Sequence, residues 1–185
     1  MTSPNPFAID ADTLSGMKPI RQVVFALGSN LGDPISNLQG AVSSLRDTPD
    51  VIVVDVSSVY ETDPVGGPED QQPYLNAVVL AETTLDETTL LERAQAIEDA
   101  YGRVRQEQWG PRTLDVDLIV VGRSVVDRPN LRLPHPRAHE RAFVLLPWAE
   151  IEPAGEIPGH GLVVDLLEHV DTSGVRRRDD LSLQD

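Results

Sequence analysis

The chain has 185 residues, no cysteine and a formal net charge of -15. A single domain of this length buries roughly 70% of its unfolded surface and needs no staples, and the lack of cysteine excludes disulfides, thiolate metal sites and a cysteine nucleophile. The acidic balance argues against bulk binding to nucleic acid or anionic lipid, no stretch approaches the ~18 apolar residues of a membrane span, and the N-terminus has neither the basic start nor the apolar core of a secretory signal, so a cytoplasmic protein is expected.

Residues 1–19 are polar and aperiodic and read as a flexible tail or linker, with the folded domain over 20–171. "IRQVVFAL", from Ile20, is a strand of branched apolar residues. "GSNLGDP" is a turn in which Asp33 caps a helix and Pro34 takes its first position. Ile35, Leu38, Val42 and Leu45 then recur at helical spacing. "VIVVDVSSVY", Val51 to Tyr60, is a second strand, and Glu61 to Pro73 a long loop of the length that often carries function. Tyr74 to Thr84 is a third strand. A helix capped by Asp86 follows, with Leu90, Leu91, Ala94 and Ile97 as its apolar stripe and Gly102 as its stop.

Arg103 to Thr113 is a second long polar loop. It leads into a strand that alternates, with Asp115 and Asp117 on one face and Leu114, Val116 and Leu118 on the other. A turn at Gly122 and a short strand at "SVV" come next. Leu131 to Ile151 is irregular, with a short helix near Ala138 and a buried run from Phe143 to Leu146. "GLVVDLLEHV" closes the domain as a helix, and residues 172–185 read as a frayed tail. There are no internal repeats. The order predicts an α+β fold with a ferredoxin-like βαββαβ core: a mainly antiparallel sheet, helices packed on it, and long loops that can close over a site.

Asp115 and Asp117 lie roughly 6.5 Å apart on such a strand and repel by about 2.5 kcal/mol at an effective dielectric near 20. A divalent cation would remove that cost, and magnesium commonly takes one or two carboxylates plus substrate phosphates. The solvated face of an edge strand gives the same alternation, so the pair alone names no reaction. Eight of the fifteen basic residues fall between Arg103 and Arg141, all of them arginine. Guanidinium groups for phosphate beside carboxylates for metal is the arrangement of phosphoryl transfer. Surface ion pairing in an acidic protein accounts for any one of these arginines equally well. His135 suits a phosphate or ribose contact, or no task at all. Trp109 offers a stacking face in a polar loop, and Tyr74 and Phe143 are compatible with a core role. No P-loop or Rossmann glycine pattern is present.

Four stretches, in order, resemble the 6-hydroxymethyl-7,8-dihydropterin pyrophosphokinase family: "GSNLGD", "YETDPVGGPEDQQPYLNAV", "RVRQEQWGPRTLDVDLIV" and "LPHPRAHERAFVLLP". The resemblance runs from about Val23 to Val170. It implies transfer of pyrophosphate from ATP to the pterin hydroxymethyl oxygen, with release of AMP, by a monomer. It implies that Asp115 and Asp117 hold two magnesium ions and that Arg103 and Arg105 act on the triphosphate from a mobile loop. By the same resemblance Trp109 and Arg112 lie near the nucleotide, and Gln95, Glu98, His135 and Arg141 form the nucleotide side or its support. Thr62, Val65, Tyr74, Asn76 and Phe143 match the pterin pocket, with Tyr74 and Phe143 walling the ring and Asn76 reading its edge. Gln108 departs from the pattern, standing where a basic residue is usual. The rivals are a binding module without catalysis and a magnesium-dependent phosphotransferase with another acceptor.

Overall fold

The computed structural model describes residues 18–64, 71–102 and 113–183. Strand β1 (Arg21–Ser29) is the spine of the sheet. It leads through the turn into helix α1 (Pro34–Arg46), whose cap is the one expected: the Asp33 carboxylate accepts from the Ser36 amide at 3.4 Å and the Ser36 hydroxyl at 2.8 Å. β2 (Val51–Val56), β3 (Val59–Thr62) and β4 (Tyr74–Thr83) follow, then helix α2 (Glu87–Ala100), capped by Asp86 through the Thr89 amide at 2.8 Å. β5 (Asp115–Val121) completes the βαββαβ core.

The sheet runs β3-β4-β1-β5, with β2 also paired to β4 and all these pairs antiparallel. With β2 and β3 as two halves of one strand, both paired to β4, the four core strands take the order of a ferredoxin-like sheet. The strand expected from Val51 to Tyr60 divides in two because Ser57 intrudes on the ladder. Its amide donates to the Val78 carbonyl and its hydroxyl accepts from the Val78 amide, both at 2.9 Å. A side-chain oxygen replaces a carbonyl, one residue is left over, and the strand bends.

Both faces of the sheet are covered, so β1 is buried almost throughout rather than on alternate residues. Val23, Phe25 and Leu27 pack with α1 and α2. Val24 and Ala26 point to the opposite core, built on helix α3 (Ala142–Ile151) and a short helix α4 (Val163–Leu167). Among the described residues Trp148 of α3 is the largest buried side chain; its indole N–H donates to Glu152 at 2.9 Å. A Cβ at Gly155 would lie 2.6 Å from that nitrogen, so only glycine fits.

Three readings of the sequence need correction. The run from Phe143 is a helix, hidden by Pro147 within it and by burial of Ala142, Val144, Leu145 and Trp148 on several sides. The closing helix is confined to Val163–Leu167, preceded by a small hairpin of β8 (Glu156–Ile157) and β9 (Gly161–Leu162). Part of the C-terminal stretch read as frayed is a strand: β10 (Val175–Arg178) pairs with β3 at the sheet edge. Between β5 and α3 the chain forms the hairpin β6 (Val126–Arg128) and β7 (Leu131–Leu133), then one 3-10 turn at Ala138–Glu140.

Candidate active site

Register decides which side chains meet. Ala26 pairs with Asp117 and Gly28 with Asp115 on one side of β1, while Gly28 pairs with Asn76 on the other. Cross-strand partners share a face, so Asp115, Asp117 and Asn76 all point to the α3 side. Asn76 also opposes Tyr60, and Thr62 opposes Tyr74. A cleft of about 700 Å³ opens there, lined among others by Gly28, Thr62, Tyr74, Asn76, Asp115 and Asp117. Gly28 matters at its centre: a Cβ would sit 3.3 Å from the Asn76 amide oxygen. Asn76 is buried and its amide donates to the Thr62 hydroxyl at 2.8 Å.

The "GSNLGD" turn anchors the ends of these strands. The Ser29 hydroxyl donates to the Thr113 carbonyl, and Asn37 donates to the same carbonyl at 3.0 Å. Asn30 donates to the Gln72 carbonyl at 3.1 Å. One turn thereby fixes the entries to β4 and β5, the two strands that carry Asn76 and the aspartates.

The opposite wall comes from the segment before α3. A β-bulge places Ile119 without a partner on β1, and its carbonyl accepts the His135 amide at 2.8 Å. The Arg137 amide donates to His135 Nδ1 at 3.2 Å. The neutral ring therefore carries its hydrogen on Nε2, a donor suited to a phosphate or ribose oxygen. Burial, then the charges of Arg141 and Arg137, push the His135 pKa from 6.5 down to about 4. Burial also lowers Arg141, against the opposing pull of Asp117 and Asp115, which line the same cleft. The Arg141 guanidinium lies 5.5 Å from the Phe143 ring centre.

The depressed His135 value has a consequence for stability. The unfolded chain binds a proton below pH 6.5 that the folded chain refuses until about pH 4. Stability contributed by neutral His135 is complete above pH 6.5 and is lost as pH falls to about 4. His135→Gln is expected to flatten that slope by on the order of 2 kcal/mol, measured by denaturant unfolding at a series of pH values. An unchanged slope would show that His135 is not held neutral.

The family model described as 7,8-dihydro-6-hydroxymethylpterin-pyrophosphokinase matches residues 24–153, more than half of the chain. The chain belongs to that family. A pyrophosphokinase of this name from Pseudomonas aeruginosa is 40% identical over 158 residues, covering 85% of this chain and 97% of its relative. One from Bacillus subtilis is 49% identical over 126 residues, covering 68% and 75%. In fold, the chain is similar to a Plasmodium falciparum HPPK-DHPS crystal structure with pterin and p-hydroxybenzoate, with a TM-score of 0.64 and 14% identity. That match covers 84% of this chain and 44% of the longer one, so this pyrophosphokinase-family chain spans less than half of that relative.

Against this family pattern, Thr62, Tyr74, Asn76, Asp115, Asp117, His135, Arg141 and Phe143 converge on the one cleft. Arg103, Arg105, Trp109, Arg112 and Val65 lie outside the described residues. Gln95 is exposed on α2 and is not among the cleft's lining residues. Glu98 does not line the cleft either; it is buried beneath β5 and accepts the Val116 amide at 3.0 Å. Arg137, one of the clustered arginines, lines the cleft too; sequence reasoning missed Gly28 and the C-terminal Asp171, Gly174 and Val175. Of these, Gly28 carried a signal: a glycine ending a buried strand marks a close approach.

Asp115 and Asp117 fit a magnesium ion by donor chemistry. Both present hard carboxylate oxygens to one cleft, and phosphate or water oxygens would fill the other positions.

Proposed function

We propose that this chain transfers pyrophosphate from ATP to the hydroxymethyl group of 6-hydroxymethyl-7,8-dihydropterin, a step of folate biosynthesis. The observation that carries the reading is the single cleft face that sets Asp115 and Asp117 between the Thr62–Asn76 end and the His135–Arg141 end. The first end takes the pterin and the second the nucleotide. The hydroxymethyl oxygen forms a bond to the β-phosphorus, the bond from that phosphorus to the α-bridging oxygen breaks, and AMP leaves.

At the pterin end, Asn76 and Thr62 present a fixed pair of polar groups to the ring's hydrogen-bonding edge, with Tyr74 and Phe143 as its walls. At the nucleotide end, His135 offers Nε2–H and Arg141 a buried cation to phosphate oxygens. Arg103 and Arg105 are assigned to the triphosphate and Trp109 and Arg112 to the nucleotide's surroundings. Val65 is assigned to the pterin side. Asp115 and Asp117 would hold magnesium, two ions by our reading, which when bound would supply charge neutralisation on the phosphates and acidify the attacking alcohol. A strong general base is then unnecessary.

The acting unit begins near residue 20 and, with β10 in the sheet, extends beyond residue 171. A monomer in the cytoplasm, with small molecules as its only partners, agrees with the net charge of -15. Among the described residues no helix is long and apolar enough to cross a membrane.

The test is product analysis after mixing protein, magnesium, ATP and the pterin. Equal amounts of AMP and pterin pyrophosphate are expected. ADP would mean that a single phosphoryl group moves, and no nucleotide product would favour a binding module. Asn76→Ala separates the two ends of the cleft. An unpaired buried edge costs about 1–3 kcal/mol, so KM for the pterin should rise by about fivefold to 150-fold while KM for ATP stays close to wild type. An equal rise in both would remove Asn76 from the pterin subsite.

A further inference from the structure

The outer wall of the Thr62–Asn76 end is built by residues past 153, where the family match stops. Asp171, Gly174 and Val175 line the cleft there. Val175 opens β10 directly opposite Thr62. Along β10 the side chains alternate: Arg177 shares the cleft face with Tyr60, while Arg176 pairs with Glu61 on the other.

The Arg176 guanidinium closes on two carboxylates at once. Its Nε and Nη2 donate to Glu61 Oε2 at 3.3 and 2.9 Å. Its Nη2 and Nη1 donate to Asp63 Oδ1 and Oδ2 at 3.1 and 3.4 Å. Glu61 is held a second time, by Arg178 at 3.0 Å, so it serves as the fixed end of the bridge. Asp63 is the other end. It follows Thr62 in the chain and, with Pro64, forms the lip of the cleft. Hydrogen bonding to Arg176 and the attraction of its charge hold the Asp63 carboxyl below its usual range.

These groups are open to solvent: the Arg176 side chain is 48% exposed and that of Asp63 64%. Such pairs add little to net fold stability. A planar fork on two carboxylates supplies geometry instead, and lysine cannot reproduce it. We propose that Arg176 is a positioning residue for the pterin end of the cleft, fixing the lip beyond Thr62 and so setting affinity for the pterin without touching the ATP end. The inference rests on the assignment of that end to the pterin made above.

Initial rates with pterin and ATP varied separately, together with thermal melts, test it. Arg176→Ala should raise KM for the pterin by about fivefold to tenfold, the scale of losing one ordering contribution at a binding surface. The kcat, the KM for ATP and Tm should stay near wild type. Arg176→Lys should not restore the pterin KM. Asp63→Ala should match Arg176→Ala, and the double variant should add nothing further, since both remove one bridge. An unchanged pterin KM, a parallel rise in both KM values, or a large fall in Tm would overturn the proposal. Asn76→Ala in the same assay keeps the two readings apart. If it too leaves the pterin KM unmoved, the assignment of the cleft end has failed; if it raises that KM while Arg176→Ala does not, only the positioning role has failed.

Discussion

Asp117→Asn is expected to lower turnover by about a thousandfold and, with metal chelated, to raise the melting temperature. The two effects have one cause. Asp115 and Asp117 share a face of β5 and face the same cleft. Their mutual repulsion is about 2.5 kcal/mol at an effective dielectric near 20. Arg141 attracts both and returns part of that cost. A net gain of about 1 kcal/mol remains for the neutral variant, worth roughly 2–4 °C in Tm for a chain of this size. Catalysis moves the other way, because an amide is a weaker ligand than a carboxylate for a hard cation. Losing about 4 kcal/mol of transition-state stabilisation lowers kcat by about a thousandfold. Melts in chelator and quantified AMP release measure the two quantities. Retained activity would remove Asp117 from the metal site. A Tm several degrees below wild type would show that Asp117 holds the fold together rather than carrying a strained charge.

That contrast also explains what could be read from the sequence. The aspartate pair was legible because strand alternation is local: "DVDLIV" fixes its own faces whatever lies around it. The caps at Asp33 and Asp86 were legible for the same reason, since each bonds three residues ahead. β10 was not. "VRRR" has no apolar alternation, and the strand it pairs with, β3, lies more than a hundred residues earlier. Helix α3 escaped because a segment buried on several sides loses the 3.6-residue period. The "GSNLGD" turn was legible as a turn, but its work is done through Thr113 and Gln72, remote partners that no local pattern reveals. Resemblance supplied Thr62, Tyr74, Asn76 and Phe143, and only the register of β3, β4 and β1 explains why the first three meet.

Glu98 is the residue for which composition is the poorest guide: a carboxylate 3% exposed, on a helix face otherwise made of Leu90, Ala94 and Ile97. Its Oε1 accepts the amide of Val116, the residue between the two aspartates. β5 is the end strand of the sheet, so that amide points away from β1 and finds its acceptor on α2. Glu98 thus finishes the edge of the strand that holds Asp115 and Asp117. Glu98→Ala would orphan a buried amide, costing about 1–3 kcal/mol, and would leave a small cavity at further cost. Aspartates displaced by about 1 Å lose on the order of a hundredfold in rate. Glu98→Gln keeps an oxygen in place for the same amide. It should retain the fold and most of the activity. Denaturant unfolding and kcat, measured on both variants, give the answer. A Gln variant as inactive as the Ala variant, yet stably folded, would mean that the charge of Glu98 acts in the reaction; recovery in Gln alone assigns it to the backbone of β5.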